Sequence, residues 1–253
     1  MAESVRPKVA ASSCLLGELV RYNGGHSRNR FLTDQLSRHV DWVLVCPEME
    51  IGLGTPRATI RIRTDGHLVG HDEQADHTAP MTTLAQERIT GFGELDGYVL
   101  KSRSPSCALQ GLPRYASLPG ERTDGQPVDR KGRGLFAGLV QDAMPLLPME
   151  EDGRLNDAGL REHFVERIFA QARLRALFAA DWRPRDLVDF HSRHKLQILA
   201  HSTVHYQRLG RIVAEAGSRP PGELAAEYQQ VFAEAFAVRT AKGRHVNALQ
   251  HVF

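Results

Sequence analysis

Cysteine is scarce in this chain: Cys14, Cys46 and Cys107 are the only three in 253 residues. An odd number without paired spacing argues against a disulfide framework and fits a reducing compartment, where cysteines are kept for metals or chemistry. Long apolar runs are also missing. No stretch approaches the roughly 20 apolar residues of a membrane-spanning helix, and the start Met1-Ala2-Glu3-Ser4 lacks the charged-then-apolar pattern of a signal peptide. A cytoplasmic protein with no membrane partner is expected, and nothing implies an obligate protein partner. The net charge of +2 is too small to define a polyanion binder, and neither an internal repeat nor a low-complexity tract is present. What remains, 42% hydrophobic and 25% charged, suits a globular protein of one large domain or two ordinary ones.

The three cysteines sit in similar places. Lys8-Val9-Ala10-Ala11 runs into Ser12-Ser13-Cys14-Leu15-Leu16-Gly17-Glu18, Trp42-Val43-Leu44-Val45 into Cys46-Pro47-Glu48, and Gly97-Tyr98-Val99-Leu100 into Lys101-Ser102-Arg103-Ser104-Pro105-Ser106-Cys107. Each cysteine therefore follows a short apolar strand candidate. Between them the pattern predicts a short helix over 29–40, a hairpin over 58–69 with an Asp65-Gly66 turn, and a helix over 76–92. A Gly- and Pro-rich loop over 111–134 and a helix over 135–146 follow. Strands alternating with helices imply an α/β fold, Rossmann-like, with a mainly parallel sheet and flanking helices. In such sheets ligands lie beyond the carboxyl ends of the strands, where all three cysteines fall.

Pro148–Gly153 is the linker candidate, dividing an α/β domain at 1–150 from an all-α C-terminal domain at 155–253. Asn156 or Asp157 can cap a helix bearing Leu160, Phe164, Ile168 and Leu174, and further helices are expected near 185–201, 203–216 and 222–240.

Any one cysteine reads equally well as a small core hydrophobe. Three at strand ends favour a shared metal site, either zinc completed by His or Glu or an iron–sulfur cluster; three thiolates would leave one iron open as a Lewis acid. Glu48 reads equally as a first-turn helix acid and Ser104 as a turn residue.

These motifs, with Gly52-Leu53-Gly54-Thr55-Pro56-Arg57 downstream of Cys46, resemble the thiouracil desulfidase family over about residues 7–145. The resemblance implies a [4Fe-4S] cluster on Cys14, Cys46 and Cys107, with Glu48 as acid/base and Ser104 as its partner. It implies non-redox hydrolysis of a C=S bond: a thiolate-held iron suits a soft thione sulfur, Glu48 takes the proton of the attacking water, and hydrosulfide leaves. Arg57, Lys101 and Arg103 would bind an anionic part of the substrate or balance cluster charge.

From Trp182 onward Lys and Arg outnumber Asp and Glu by 10 to 6, so a polyanion would prefer this end. Asp189-Phe190-His191-Ser192-Arg193-His194-Lys195, His201-Ser202, His205-Tyr206 and Leu209-Gly210-Arg211 resemble the helical domain of unknown function often joined to the desulfidase domain. Such fusions are similar to enzymes that return 4-thiouridine in tRNA to uridine, and Arg193, Lys195, Arg208 and Arg211 become candidate RNA contacts, with Arg183, Arg185, Arg239, Lys242 and Arg244 in the same basic pattern. His191/Lys195 and His201/His205 share helix faces, which reads more readily as solvated or core histidines than as metal ligands. The family's helical domain runs further than the apolar helical pattern Val246–Phe253, so the chain is expected to be either truncated or a short member. The expected substrate is tRNA containing 4-thiouridine. The alternatives are free thiouracil or thiouridine nucleotides in salvage, or a non-catalytic iron–sulfur protein that binds RNA or senses redox state.

Overall fold

The computed structural model describes residues 5–72, 74–117 and 125–250. The chain forms two compact units, Pro7–Arg161 and a unit from Glu162 onward.

In the first unit the elements run β1 (Lys8–Ser12), β2 (Asp41–Val45), α1 (Pro47–Glu50), β3 (Ile60–Arg63), β4 (Leu68–Gly70), α2 (Thr78–Gly91), β5 (Gly97–Leu100), β6 (Leu112–Tyr115), β7 (Asp129–Gly132), α3 (Leu135–Ala143) and β8 (Met149–Glu151). One sheet has the order β2-β1-β5-β8, and every pairing in it is parallel. Val9, Ala10 and Ala11 are fully buried, as are Tyr98, Val99 and Leu100. Burial on both faces explains why β1 and β5 read as continuous apolar runs without alternation. Phe92 and Phe136 pack edge-on against one another, Phe92 does the same with Tyr98, and Met81, Ala85 and Val140 close the core from α2 and α3.

The expected helix over 29–40 is a π-helical turn, Phe31–Gln35, running into a short 3-10 turn, Leu36–Arg38. Leu32 and Leu36 still bury, so the apolar spacing was read correctly while the winding was not. The Pro148–Gly153 linker is largely strand: β8 pairs with β5, Tyr98 opposite Met149 and Leu100 opposite Glu151. Three residues carrying two glutamates give no apolar signal, yet Glu151 is buried, where its carboxylate accepts the Leu109 N–H at 2.7 Å.

A second sheet has the order β4-β3-β6-β7, with β3 and β6 parallel and the outer pairs antiparallel. The hairpin expected at 58–69 is β3–β4. Strands β6 and β7 fall where a loop was expected, because Pro113 and the charges of Asp129-Arg130-Lys131 disguise them. Arg114 and Asp129 face each other in register and join in a forked ion pair, Nε–Oδ1 2.9 Å and Nη2–Oδ2 2.6 Å. Residues 118–124 of that loop lie outside the described residues.

Helix α4 (Ala158–Ala179) spans the division between the units, and its first turn is capped by Asp157, whose Oδ1 accepts the Leu160 N–H at 2.8 Å. The helical unit continues through α5 (Pro184–His201), α6 (Thr203–Ala214), α7 (Pro221–Ala237) and α8 (Lys242–Gln250). Its core is aromatic and aliphatic: Leu174 from α4, Leu187, Phe190 and Ile198 from α5, Leu209 from α6, and Tyr228, Phe232 and Phe236 from α7. The end of the expected 246–253 pattern, residues 251–253, lies outside the described residues, as does the Lys242 side chain. Among the described residues no helix is long and apolar enough to cross a membrane.

Candidate active site

Cys14 lies in the 3-10 turn Ser13–Leu16 directly after β1, and this turn ends at Gly17, whose φ of 106° a side chain would strain. Cys46 closes β2 and precedes the single turn of α1; the Glu50 carboxylate at that turn's end reaches back to accept the Cys46 N–H at 3.0 Å. Cys107 sits in the loop after β5. That loop is held against the start of α3, with Leu135 N donating to Pro105 O at 3.0 Å and Ala137 N to Ser106 O at 3.0 Å. The approach tolerates no side chain at Gly134, where a Cβ would lie 2.5 Å from the Ser106 carbonyl carbon and 2.6 Å from the Cys107 nitrogen.

All three cysteines line one cavity of about 610 Å³. One wall is the strand ends of the parallel sheet, and the other includes Ile60–Ile62 of β3 and Leu112, Pro113 and Tyr115 of β6. Cys14 and Cys107 are buried and Cys46 is partly buried. Burial pushes the Cys14 thiol up to about 11, with the neighbouring Cys46 adding to it. Burial likewise raises Cys46, opposed by the Met49 backbone hydrogen bond, and drives Cys107 well above the ordinary thiol range, with the charge of Glu48 next in effect. The thiols are therefore neutral by themselves, and a cation binding them must displace protons.

The donor set fits an iron–sulfur cluster. It is all sulfur, and therefore soft. The fully buried Tyr98 hydroxyl, within electrostatic reach of Cys107 and Cys46, has no hydrogen-bond partner.

Glu48 is held from both sides. Its Oε2 accepts Arg57 Nε at 3.1 Å and forms a very short ion pair with the other guanidinium arm, while Oε1 accepts Ser104 Oγ at 3.2 Å and Ser106 Oγ at 3.0 Å. Arg57 is only 7% exposed and also donates to Val20 O at 3.0 Å and Gly54 O at 2.6 Å. The Gly52–Arg57 loop thus serves Glu48, with Gly52 and Gly54 both at positive φ. Ser104 Oγ accepts the N–H groups of Ser106 and Cys107, each at 3.2 Å, so this one hydroxyl ties Glu48 to the Cys107 loop.

The remaining predicted contacts separate. Arg57, expected to bind a substrate anion or to balance cluster charge, is the ion-pair partner of Glu48. Lys101 lines the cavity but pairs with Asp152 at 2.9 Å. Arg103 is exposed at the cavity with a left-handed backbone, φ 62°. Sequence reading did not single out Ser12, whose Oγ accepts the Lys101 N–H at 3.0 Å and contacts Cys107, nor Ser106 or Asp152. The Ser12-Ser13-Cys14 and Ser104-Pro105-Ser106-Cys107 motifs contain the two serines; the Asp152 carboxylate reaches the site only through the pairing of β8.

In the helical unit Arg193, Lys195, Arg208 and Arg211 are all exposed. Arg208 is engaged by Glu234 at 3.4 Å and Glu227 at 3.8 Å. The histidine pairs do not act as pairs: His191 Nδ1 meets Tyr228 OH at 3.1 Å, His205 Nδ1 meets Ser202 Oγ at 2.7 Å, and His201 turns to other partners.

An α/β unit that gathers three thiols at the carboxyl ends of parallel strands, beside a carboxylate fixed by arginine and serine, has the make-up of a metal-dependent hydrolytic enzyme. The model of the 2-thiouracil desulfurase family matches residues 9–152, and the chain belongs to that family, enzymes acting on a carbon–sulfur double bond. Residues 195–253 match the model described as a protein of unknown function, DUF1722. No curated protein matches the chain. Among solved structures it is similar to a [4Fe-4S]-dependent thiouracil desulfidase, TudS, at 26% identity and a TM-score of 0.47, covering 62% of this chain and 98% of that one.

Proposed function

We propose that the chain is a [4Fe-4S]-dependent, non-redox desulfidase that converts 4-thiouridine in tRNA to uridine and hydrosulfide. The observation that carries the reading is the convergence of Cys14, Cys46 and Cys107 on one cavity with Glu48 beside them. Cys14, Cys46 and Cys107 would hold the cluster, which when bound supplies an open iron as a Lewis acid for the thione sulfur.

The chain's own residues supply the proton chemistry. Both oxygens of Glu48 are filled, Oε2 by Arg57 and Oε1 by the two serine hydroxyls. Glu48 takes the proton of the attacking water when one hydroxyl yields its place on Oε1. Ser104, joined to Glu48 and to the Cys107 backbone, is the group placed to hold the base or its tetrahedral adduct. Arg21 with Tyr22 and Arg61 with Tyr115 form cation–aromatic pairs at the cavity wall, 5.7 and 4.9 Å from guanidinium carbon to ring centre. Tyrosine faces suit stacking of a pyrimidine and the cations suit its phosphate. Arg193, Lys195, Arg208 and Arg211 supply further phosphate contacts, and residues 155–253 form the RNA-binding part.

The family's own name favours a second reading, free thiouracil as substrate. Hydrosulfide release by the anaerobically reconstituted chain from thiolated tRNA, 4-thiouridine monophosphate, and free 2- and 4-thiouracil separates the two. Fastest turnover per unit concentration on tRNA supports the proposal; turnover confined to the free bases selects the second reading, and release from none of them removes both.

A further inference from the structure

His163, Glu166 and His201 form a cluster in the helical unit that the desulfidase chemistry does not use. One ligand atom from each lies within 4.8 Å of the others. His163 and Glu166 stand one turn apart on α4, and His201 ends α5. Their supports come from Gln197 on α5 and from Val238, the residue that follows α7.

His201 is wholly buried against the Phe236 ring, with ring centres 4.6 Å apart. Its Nδ1 lies 2.6 Å from the Val238 carbonyl oxygen. A carbonyl only accepts, so Nδ1 donates its hydrogen to Val238 and leaves Nε2 as the atom turned to the cluster. Nε2 stands 3.1 Å from Glu166 Oε2, at ion-pair distance but without the geometry of a hydrogen bond. The other carboxylate oxygen is fixed by Gln197, whose Nε2 donates to Oε1 at 2.8 Å. His163 Nδ1 is likewise buried without a partner.

A buried ring nitrogen set against a carboxylate oxygen needs a positive centre between them, a proton or a cation. We propose that His163, Glu166 and His201 bind a divalent transition-metal cation of the zinc class. Two imidazoles and one carboxylate are a donor set zinc takes, with a fourth position open. Metal–ligand distances of about 2.0–2.2 Å put two donors of a tetrahedral ion roughly 3.3–3.6 Å apart, so the 3.1 Å between His201 Nε2 and Glu166 Oε2 has to open by only a few tenths of an ångström. The supports also match: a metal-bound histidine commonly donates its other N–H to a carbonyl, and a ligating carboxylate is itself hydrogen-bonded. Val238 and Gln197 hold those positions.

The test loads the full chain with its iron, adds Zn²⁺, removes the excess, and records the zinc content and the zinc X-ray absorption spectrum. One zinc per chain is expected, with nitrogen and oxygen neighbours at about 2.0–2.2 Å and no sulfur. His163→Ala and Glu166→Gln should each weaken zinc binding at least tenfold, and Gln197→Ala, which removes only a support, about 10–100-fold. Gln197→Ala and His163→Ala alter partly exposed positions, and circular dichroism identifies which variants remain folded. A folded wild type that takes up no zinc, zinc with sulfur neighbours, or unchanged affinity in folded Gln197→Ala and His163→Ala would each overturn the proposal. In the first case a proton shared by His201 and Glu166 fills the role assigned to the metal.

Discussion

Glu48 and Arg57 decide whether the cavity is an active site. The pair is nearly buried, at 14% and 7% side-chain exposure, and removing one partner of such a pair leaves a charge without compensation, at about 3–5 kcal/mol. Arg57→Ala should therefore lower the melting temperature as well as the rate. Glu48→Gln keeps the shape but loses the charge opposite Arg57 and one acceptor oxygen, so it too should lower the melting temperature, while the folded variant retains iron and loses about 10²–10⁴-fold in turnover. Loss of iron from a folded Glu48→Gln would make Glu48 a ligand and remove it as the base. Ser106→Ala should cost less than Ser104→Ala, because Ser104 also accepts two backbone N–H groups; equal rates in the two variants would contradict the distinction. At this scale the sequence revealed residue types better than partnerships. Glu48 stands two positions from a cysteine and could be singled out. Arg57 was visible as a cation of the site, but its pairing with Glu48 was not, because only the turn of the Gly52–Arg57 loop brings its guanidinium back to that carboxylate.

Elements were legible wherever burial imposes a pattern. Strands β1, β2 and β5, helices α2 and α3, and the helices of the C-terminal unit all carry apolar runs or helical spacing. Strands β6, β7 and β8 do not: β6 buries Leu112 alone, and the Arg114–Asp129 ion pair and the buried Glu151 that accompany the pairing leave no apolar signal. Gly134 also shows a constraint that composition hides. A methyl group there must displace backbone at Ser106 and Cys107, so Gly134→Ala should destabilise the first unit by about 1–3 kcal/mol and reduce iron retention; an unchanged melting curve and iron content would show that the loop has slack. In the helical unit, burial lowers His191 and His194 below the ordinary histidine value, with nearby positive charge adding to His191. A depressed base binds fewer protons folded than unfolded, so stability is full above the unfolded value of about 6.5 and falls as pH drops through it. Thermal melts from pH 8 to 5 should show a decline beginning near pH 6.5, lessened in His194→Gln; a flat profile would refute it.

For the whole molecule the question is which substrate the two units serve together. Reversing charge at Arg193, Lys195 and Arg211 should weaken turnover of thiolated tRNA far more than that of free thiouracil, and the difference should shrink as salt rises, because each neutralised phosphate releases counterions. Equal losses on both substrates would remove the helical unit as the RNA-binding part. Beneath that lies the claim on which the account stands, that Cys14, Cys46 and Cys107 hold one iron–sulfur cluster. The most direct measurement is iron and acid-labile sulfide per chain after anaerobic reconstitution, in the wild type and in Cys14→Ala, Cys46→Ala and Cys107→Ala. The account predicts about four of each in the wild type, with visible-region absorption, and loss of both in every variant that remains folded. Stoichiometric zinc bound by the cysteines, with no iron and no visible absorption, would contradict it.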